Sequence, residues 1–253
     1  MATTSTVDAE SRRERLLEIL STDGIIRLDA AAERLGVSAM TVRRDLADLE
    51  TDGQLRRVRG GAVPSLKPRS FVERMSTGAD AKLVIAEKAR ALVPDSGAAA
   101  FDASSTVGTL LSRLDSVSDL TIATNSYENF QVARRLPGAA AILIGGEAEE
   151  RTDSFVGLLA CQAAGSLHYS RFFTSSAAAD PARGTSEVTL AETQVKLAFV
   201  DAADETVLLI DSTKLGQRAL ARALDWDRIS IMVTELDPGH DSLDPYRELT
   251  DLL

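Results

Sequence analysis

Apolar residues in the first sixty positions recur at helical spacing in three short blocks divided by turn residues. Leu16, Ile19 and Leu20 share one face of a helix expected from Ser11 to about Ser21, with Ser11 as its cap and Asp23-Gly24 as its end. Ile25-Ile26-Arg27-Leu28 is short and β-branched, which suits a small strand. A second helix, capped by Asp29, turns Leu28, Ala31, Ala32 and Leu35 inward, and Gly36-Val37 makes the tight turn after it. Ser38 caps a third helix in which Val42, Leu46 and Leu49 repeat at helical spacing and Asp52-Gly53 is the stop. Leu55–Val63 follows as a basic hairpin around Gly60-Gly61.

Helix, strand, helix, tight turn, helix and basic hairpin is the order of a winged helix-turn-helix. If Val42, Leu46 and Leu49 are buried, Met40, Arg44, Ala47 and Thr51 face outward, with Thr41 and Arg43 on the flanks. The start of such a helix fits a major groove, where an arginine can donate two hydrogen bonds to one guanine. The candidate DNA-contacting set is therefore Ser38, Met40, Thr41, Arg43 and Arg44 on the helix, and Arg56, Arg57 and Arg59 on the wing. The plainer alternative is a helical bundle with solvated arginines, in which Thr41 and Asp45 are an exposed pair one turn apart. The ordered caps, turns and basic wing favour the reader.

Pro64 and Pro68 flank an extended segment poor in pattern, which divides the chain into a DNA-binding domain (1–63), a linker (64–79) and a second domain (80–253). A helix over Asp80–Val93 carries Leu83, Ala86, Ala89 and Val93 near helical spacing. Strand-like runs then occur at Ala98–Phe101, Leu120–Ala123, Ala140–Ile144, Arg171–Thr174, Thr206–Ile210 and Ile229–Val233. Helical patterns over Thr106–Leu114, Tyr127–Leu136, Ser154–Leu167 and Val188–Ala203 separate them. This alternation predicts a doubly wound, mostly parallel α/β sheet.

Ligands of such sheets lie beyond the C-terminal strand ends. The segments there are Asp102-Ala103-Ser104-Ser105-Thr106, Thr124-Asn125-Ser126, Gly145-Gly146-Glu147, Thr174-Ser175-Ser176 and Asp211-Ser212-Thr213-Lys214. Each segment alone reads as capping and turn chemistry. Five polar segments on one edge read better as a pocket for a polar ligand. Helix starts at Thr106 and Tyr127 suit a phosphate, Asp102 and Asn125 suit sugar hydroxyls, and Lys214 is the only cation in the five segments.

Composition narrows the class. The 253 residues are 44% hydrophobic and 26% charged, an ordinary globular balance with a net charge of −10. Residues 1–69 hold 12 basic and 11 acidic side chains, whereas the remainder holds 16 and 27, a balance of −11. Gly53–Arg69 has five cations and no acid, so a polyanion has one local patch to meet. No apolar run approaches a membrane span, and the first ten residues read as no signal peptide, so a cytoplasmic protein is expected. Cys161, the single cysteine, reads as buried packing, Trp226 reads as core, and His168 and His240 lack metal-ligand spacing. Neither a metal nor a cofactor is expected.

Ser38-Ala39-Met40-Thr41-Val42-Arg43-Arg44-Asp45-Leu46 resembles the reader-helix signature of the DeoR family of bacterial transcriptional repressors, and Arg59-Gly60-Gly61-Ala62 resembles its wing. Phe71-Val72-Glu73-Arg74, Lys82 and Ile85-Ala86 are similar to the family's entry into its second domain. Asp102–Thr106, Thr124-Asn125-Ser126, Gly145-Gly146 and Asp211–Gly216 are similar to its further blocks. Ser104, Ser105, Ser175 and Ser176 depart from the residues usual there. The resemblance runs from about Ser11 to Val233. It implies a sensor domain whose fold resembles phosphosugar isomerases and which binds a phosphorylated sugar or polyol. It also implies an inducer response through Arg74, Lys82, Asp211 and Lys214, and an acidic-then-basic helix carrying Glu192 and Lys196.

The function expected is a repressor of a carbohydrate or polyol operon. It would bind double-stranded operator DNA as a homodimer or homotetramer and be released by its effector, with no enzyme activity and no membrane contact. The alternative is a phosphosugar isomerase with an accessory DNA-binding head. An isomerase needs a base, and Glu147, Asp102 and Glu192 are candidates by type.

Overall fold

The computed structural model describes residues 3–23, 25–51, 54–64 and 69–253. The expected stops at Gly24 and Asp52-Gly53, and residues 65–68 of the expected linker, lie outside them. The chain forms two compact units, Met1–Lys67 and Pro68–Leu253.

The first unit runs α1 (Thr3–Asp23), β1 (Ile26–Arg27), α2 (Leu28–Leu35), α3 (Ala39–Thr51), β2 (Leu55–Val58) and β3 (Gly61–Pro64). Leu16, Ile19, Leu20, Ile26, Leu28, Val42, Leu46, Leu49 and Leu55 close its core. Ser11 is not a cap but lies inside α1, because Ala9 and Glu10 before it are good helix formers. Asp29 is not a cap either. The helix starts two residues earlier, at Leu28, with Arg27 at the cap position, and Asp29 sits in the first turn, where its charge suits the helix dipole. Gly36 adopts φ 66° and closes α2 as the sequence implies. The strands order β1-β3-β2, and the wing turns at Arg59-Gly60. Gly61 is needed there because a Cβ would collide with the Ile26 carbonyl oxygen.

The second unit opens with α4 (Phe71–Ser76) and α5 (Ala79–Ala89). The pattern assigns residues 71–76 to the linker, yet they form a helix closed by a reciprocal Ser70–Glu73 capping box. On α5 the inward residues are Lys82, Ile85, Ala86 and Ala89, whereas Leu83 is exposed. A lysine therefore takes a core position that periodicity gave to leucine.

The chain continues through β4 (Ser96–Phe101), α6 (Ser105–Ser112), β5 (Asp119–Thr124), α7 (Tyr127–Ala133) and β6 (Ala139–Leu143). A hairpin, β7 (Glu147–Glu149) with β8 (Ser154–Val156), precedes α8 (Gly157–Ala164) and β9 (Tyr169–Thr174). Residues 154–156, expected to be helical, are extended, and α8 starts at Gly157 with φ 87°. Then come β10 (Ala178–Asp180), β11 (Gly184–Glu187), α9 (Leu190–Asp201), β12 (Ala203–Leu209), β13 (Ala221–Arg222), β14 (Ile231–Val233) and β15 (Asp251–Leu252).

Seven parallel strands order β15-β14-β12-β9-β4-β5-β6. The sheet grows outward from β4 through β5 to β6, and the chain then returns to place β9 on the other side of β4. That reversal puts the switch point between the ends of β4 and β9. Sheet side chains alternate between two cores. Phe101, Ile122, Phe173 and Val207 meet α5, α6 and α7, while Ala100, Phe172 and Leu208 meet α8 and α9. Trp226 is buried and donates its indole N–H to the Asp180 carbonyl at 3.0 Å. Cys161 is half-buried on α8. No helix among the described residues is long and apolar enough to cross a membrane, and no cluster there suits a metal ion.

Candidate functional site

In the first unit, α3 is braced from behind. Ser38 Oγ accepts the Thr41 amide at 3.1 Å and meets Thr41 Oγ1 at 2.8 Å, so the cap fixes both hydroxyls at the helix start. Asp45 is buried and takes Arg12 by two bonds, Nε to Oδ2 at 2.5 Å and Nη2 to Oδ1 at 2.9 Å. It is thus a tie to α1 and not an exposed companion of Thr41. Arg57 donates its backbone N–H and its Nε to Glu50, at 2.8 and 2.6 Å, which anchors the wing to α3. Arg43, Arg44, Arg56 and Arg59 are exposed and make no ion pair among the described residues. Met40 beside them is 68% exposed.

In the second unit the switch point holds a buried ion cluster. Asp102 Oδ1 accepts the Ser104 amide at 2.8 Å. Its Oδ2 accepts Thr174 Oγ1 at 2.6 Å, the Ser175 amide at 3.1 Å and Lys196 Nζ at 2.9 Å. Lys196 also pairs with Glu187 at 2.9 Å, and Ser176 Oγ donates to that glutamate at 2.9 Å. Burial works to raise the Asp102 pKa, but the Lys196 charge and the Ser104 and Thr174 bonds hold it below the usual carboxylate range. Burial would lower Lys196, and its two carboxylates raise it instead. The carboxylate of Asp102 is filled by protein donors, so it shapes the switch point and leaves little for a sugar hydroxyl. Glu187 was missed in the sequence because β11 is too short to show a period.

Beside this cluster, Glu192 is pushed up to about 7 by burial and by Glu187, with Arg74 and Lys196 opposing. Ser154 Oγ donates to it at 3.4 Å. Arg74 reaches from α4 to the Ala103 carbonyl at 3.1 Å and the Thr152 carbonyl at 2.5 Å.

A second group gathers cations. Lys82 is buried, and its Nζ donates to the Arg74 carbonyl and, at 2.6 Å, to the Thr77 carbonyl. Burial, then the nearby Lys214, with Arg74 and Arg69 adding, lowers its pKa to about 7 against the pull of Asp211. Lys214 Nζ sits 3.2 Å from Asp211 Oδ2. Burial raises Asp211, and Lys214 with the Thr213 hydroxyl outweighs that and lowers it. Lys214 is therefore not the lone cation that the strand-end segments suggest.

The remaining strand-end residues divide by role. Ser104 caps α6 by accepting the Val107 amide, and Ser105 and Thr106 are buried in that helix's first turn. Thr124 Oγ1 accepts the Ser126 amide at 3.2 Å, and Ser126 caps α7. Asn125 donates Nδ2 to the Phe155 carbonyl at 3.0 Å. Asn125 Oδ1 and Ser175 Oγ are buried with no hydrogen-bond partner among the described residues. Gly145 and Gly146 follow the edge strand β6 and are exposed; Gly146 lies against the Val156 carbonyl, where a side chain would collide.

A sequence model of the DeoR-like helix-turn-helix domain matches residues 12–66, and one of the DeoR C terminal sensor domain matches residues 77–236. The chain belongs to the DeoR family. It is a DNA-binding transcriptional regulator of that family. It is 31% identical over 252 residues to the lactose phosphotransferase system repressor of Streptococcus mutans, covering 96% of this chain and 98% of that one. It is 29% identical over 226 residues to the HTH-type transcriptional regulator IolR of Bacillus subtilis, covering 88% and 90%. Among solved structures, ribose 5-phosphate isomerase A from Methanocaldococcus jannaschii matches with a TM-score of 0.39 at 18% identity over 54% of each chain. In this DeoR chain Arg74, Lys82, Asp211 and Lys214, the four positions for which the resemblance implies an inducer response, form one electrostatic group. Arg69 joins them from just before α4.

Proposed function

We propose that this DeoR regulator is a cytoplasmic repressor of a carbohydrate or polyol operon, released from its operator by a phosphorylated sugar or polyol. The observation that carries the effector reading is Lys82, a buried ammonium with carbonyl partners and with cations for neighbours. Asp211 is the acid that offsets this repulsion at Lys82 among the described residues, and a phosphate placed there relieves it further. The start of α6 at Ser105 and Thr106 adds backbone N–H groups to that site. Asn125 Oδ1 and Ser175 Oγ are left for the ligand's hydroxyls. The name of the Streptococcus mutans relative, a lactose phosphotransferase system repressor, supports a carbohydrate link.

The test is calorimetric titration with a panel of phosphorylated sugars and polyols, each beside its unphosphorylated parent. Binding is expected only with the phosphate. Lys82 is half charged near pH 7 when unliganded, and a bound phosphate raises its pKa. Binding above pH 7 therefore takes up a proton, and affinity falls by up to tenfold per pH unit as pH rises from 7 toward 9. Affinity independent of pH over that range would remove Lys82 from the site.

The reader is proposed to set α3 in a major groove. Arg44 contacts a guanine, Met40 packs on a thymine methyl, and Arg43 and the wing arginines Arg56 and Arg59 hold phosphates. Replacing Arg59 by Ala is expected to weaken binding to all sequences alike and to lower the salt slope by about 1 per half-site. A sequence-dependent loss with an unchanged slope would contradict that role. Arg57, tied to Glu50, positions the wing. Two copies on paired half-sites supply genomic specificity.

Glu192 favours the isomerase reading in one respect, because a carboxyl near neutrality suits proton transfer. Incubation with the same phosphorylated panel is expected to yield no isomer. Turnover abolished by Glu192→Gln would establish the enzyme instead.

A further inference from the structure

The outward face of α8 is anomalous for this chain. Ser154–Ser170 is the longest stretch without a charged residue in a sequence that is 26% charged. It is not a buried segment. Leu158 and Leu159 stand 69% and 67% exposed, and Gln162 and Ser166 continue the face as exposed residues. Only Ala160 and Ala164 of α8 pack fully into the core. Helix α9 packs against α8 on the same side of the sheet and presents Leu190, 68% exposed, and Gln194. A solvated helix ordinarily shows charge on its outer face, and an apolar patch of this kind marks a contact surface.

We infer that the α8–α9 face is where a second copy of this chain docks, about a two-fold axis, with Leu158 and Leu159 at the centre. Electrostatics selects this occupant. Residues beyond 69 carry a balance of −11, so two such bodies repel at most approaches. The centre of the face lets them meet over uncharged side chains, with the exposed Glu147 carboxylate beside Gly157 at its border. Isologous contact also places the same leucines on both sides, so each pair buries the other. A stable dimer covers about 800 Å² on each partner, more than one short helix offers, which is why the surface extends to Leu190 and Gln194. The inference gives a surface to the symmetric assembly proposed above and rests on it, independently of the effector.

The test uses the full chain. Sedimentation equilibrium at micromolar concentration is expected to give at least a dimer for the wild type. Leu158→Glu with Leu159→Glu is expected to halve the assembled mass at the same concentration, with an unchanged circular dichroism spectrum, since both side chains are exposed. In a Cys161→Ser background, Leu158→Cys, at the proposed two-fold centre, is expected to form a covalent dimer on mild oxidation. Glu87→Cys, on α5 beyond the other face of the sheet, is expected to stay monomeric by the same measure. If the double glutamate variant failed to fold, the cross-link would decide alone. A monomeric wild type would overturn both the assembly and this surface. A retained mass in the folded glutamate variant, or no cross-link at Leu158→Cys, would overturn the surface only.

Discussion

Replacing Lys196 by Met is expected to cost about 3–5 kcal/mol of folding stability, the loss typical of breaking a buried ion pair from one side. Lys196 is the shared partner of Asp102 and Glu187, and all three are buried. Without it two carboxylates are left in low dielectric beside Glu192. The change is nearly equal in length, so lost packing adds little. The pH dependence separates this account from a simple cavity. In the wild type the folded Asp102 pKa is lowered, so its contribution is present above the ordinary carboxylate range and is lost as pH falls through it. Lys196 is raised, so its contribution holds below the ordinary lysine pKa and is lost at higher pH. In the Met variant the freed carboxylates shift upward, so the deficit measured by urea unfolding is expected to shrink between pH 7 and pH 5. A deficit under about 1 kcal/mol, or one independent of pH, would show that the cluster does not brace the switch point.

The second large effect concerns the reader. Arg44→Ala is expected to lose about 1–3 kcal/mol per half-site if Arg44 makes a bidentate contact with guanine. On a paired operator that is about 2–6 kcal/mol, up to on the order of 10⁴-fold. Arg44 is exposed, carries no ion pair among the described residues, and lies one turn from Met40 on the face opposite Val42, Leu46 and Leu49. The variant should therefore fold normally and keep its non-specific, salt-sensitive binding. Duplexes selected from a random library by the wild type would show the contact as one guanine position whose preference disappears in the variant. Equal preference at every position would remove Arg44 from base recognition.

The reader helix was legible because its stripe is strict and its cap local: Ser38, Val42, Leu46 and Leu49 all lie within one short segment. What stayed hidden was the bracing between segments. Arg12 reaches Asp45 across 33 positions, and no local pattern records such a pair. The same divide holds in the second unit. The apolar runs of β4, β5, β9 and β12 are long enough to read, whereas β10, β11 and β13 are short, polar or both. The inward position of Lys82 on α5 contradicts periodicity, since burial there is repaid by carbonyl contacts and not by apolar packing. The Ser70–Glu73 capping box is a local helix start, but the helix it opens is only six residues long, too short to show a period beside the linker prolines. Of the two glycines after β6 that resemble a family block, Gly146 lies against the Val156 carbonyl, whereas Gly145 faces open space.

Operator release is expected to be driven by an anion at the cation group around Lys82 and Lys214. Its most direct measurement is fluorescence anisotropy of a labelled operator duplex, titrated with the phosphorylated ligand that binds in calorimetry, for the wild type and for Lys214→Ala. Lys214 is partly exposed and pairs among the described residues with Asp211, so the variant should fold and bind operator as the wild type does. Release of the wild type is expected with the phosphorylated ligand and not with its parent sugar, with a midpoint raised at least tenfold in Lys214→Ala. An unchanged midpoint in the variant, or equal release by the unphosphorylated parent, would contradict this.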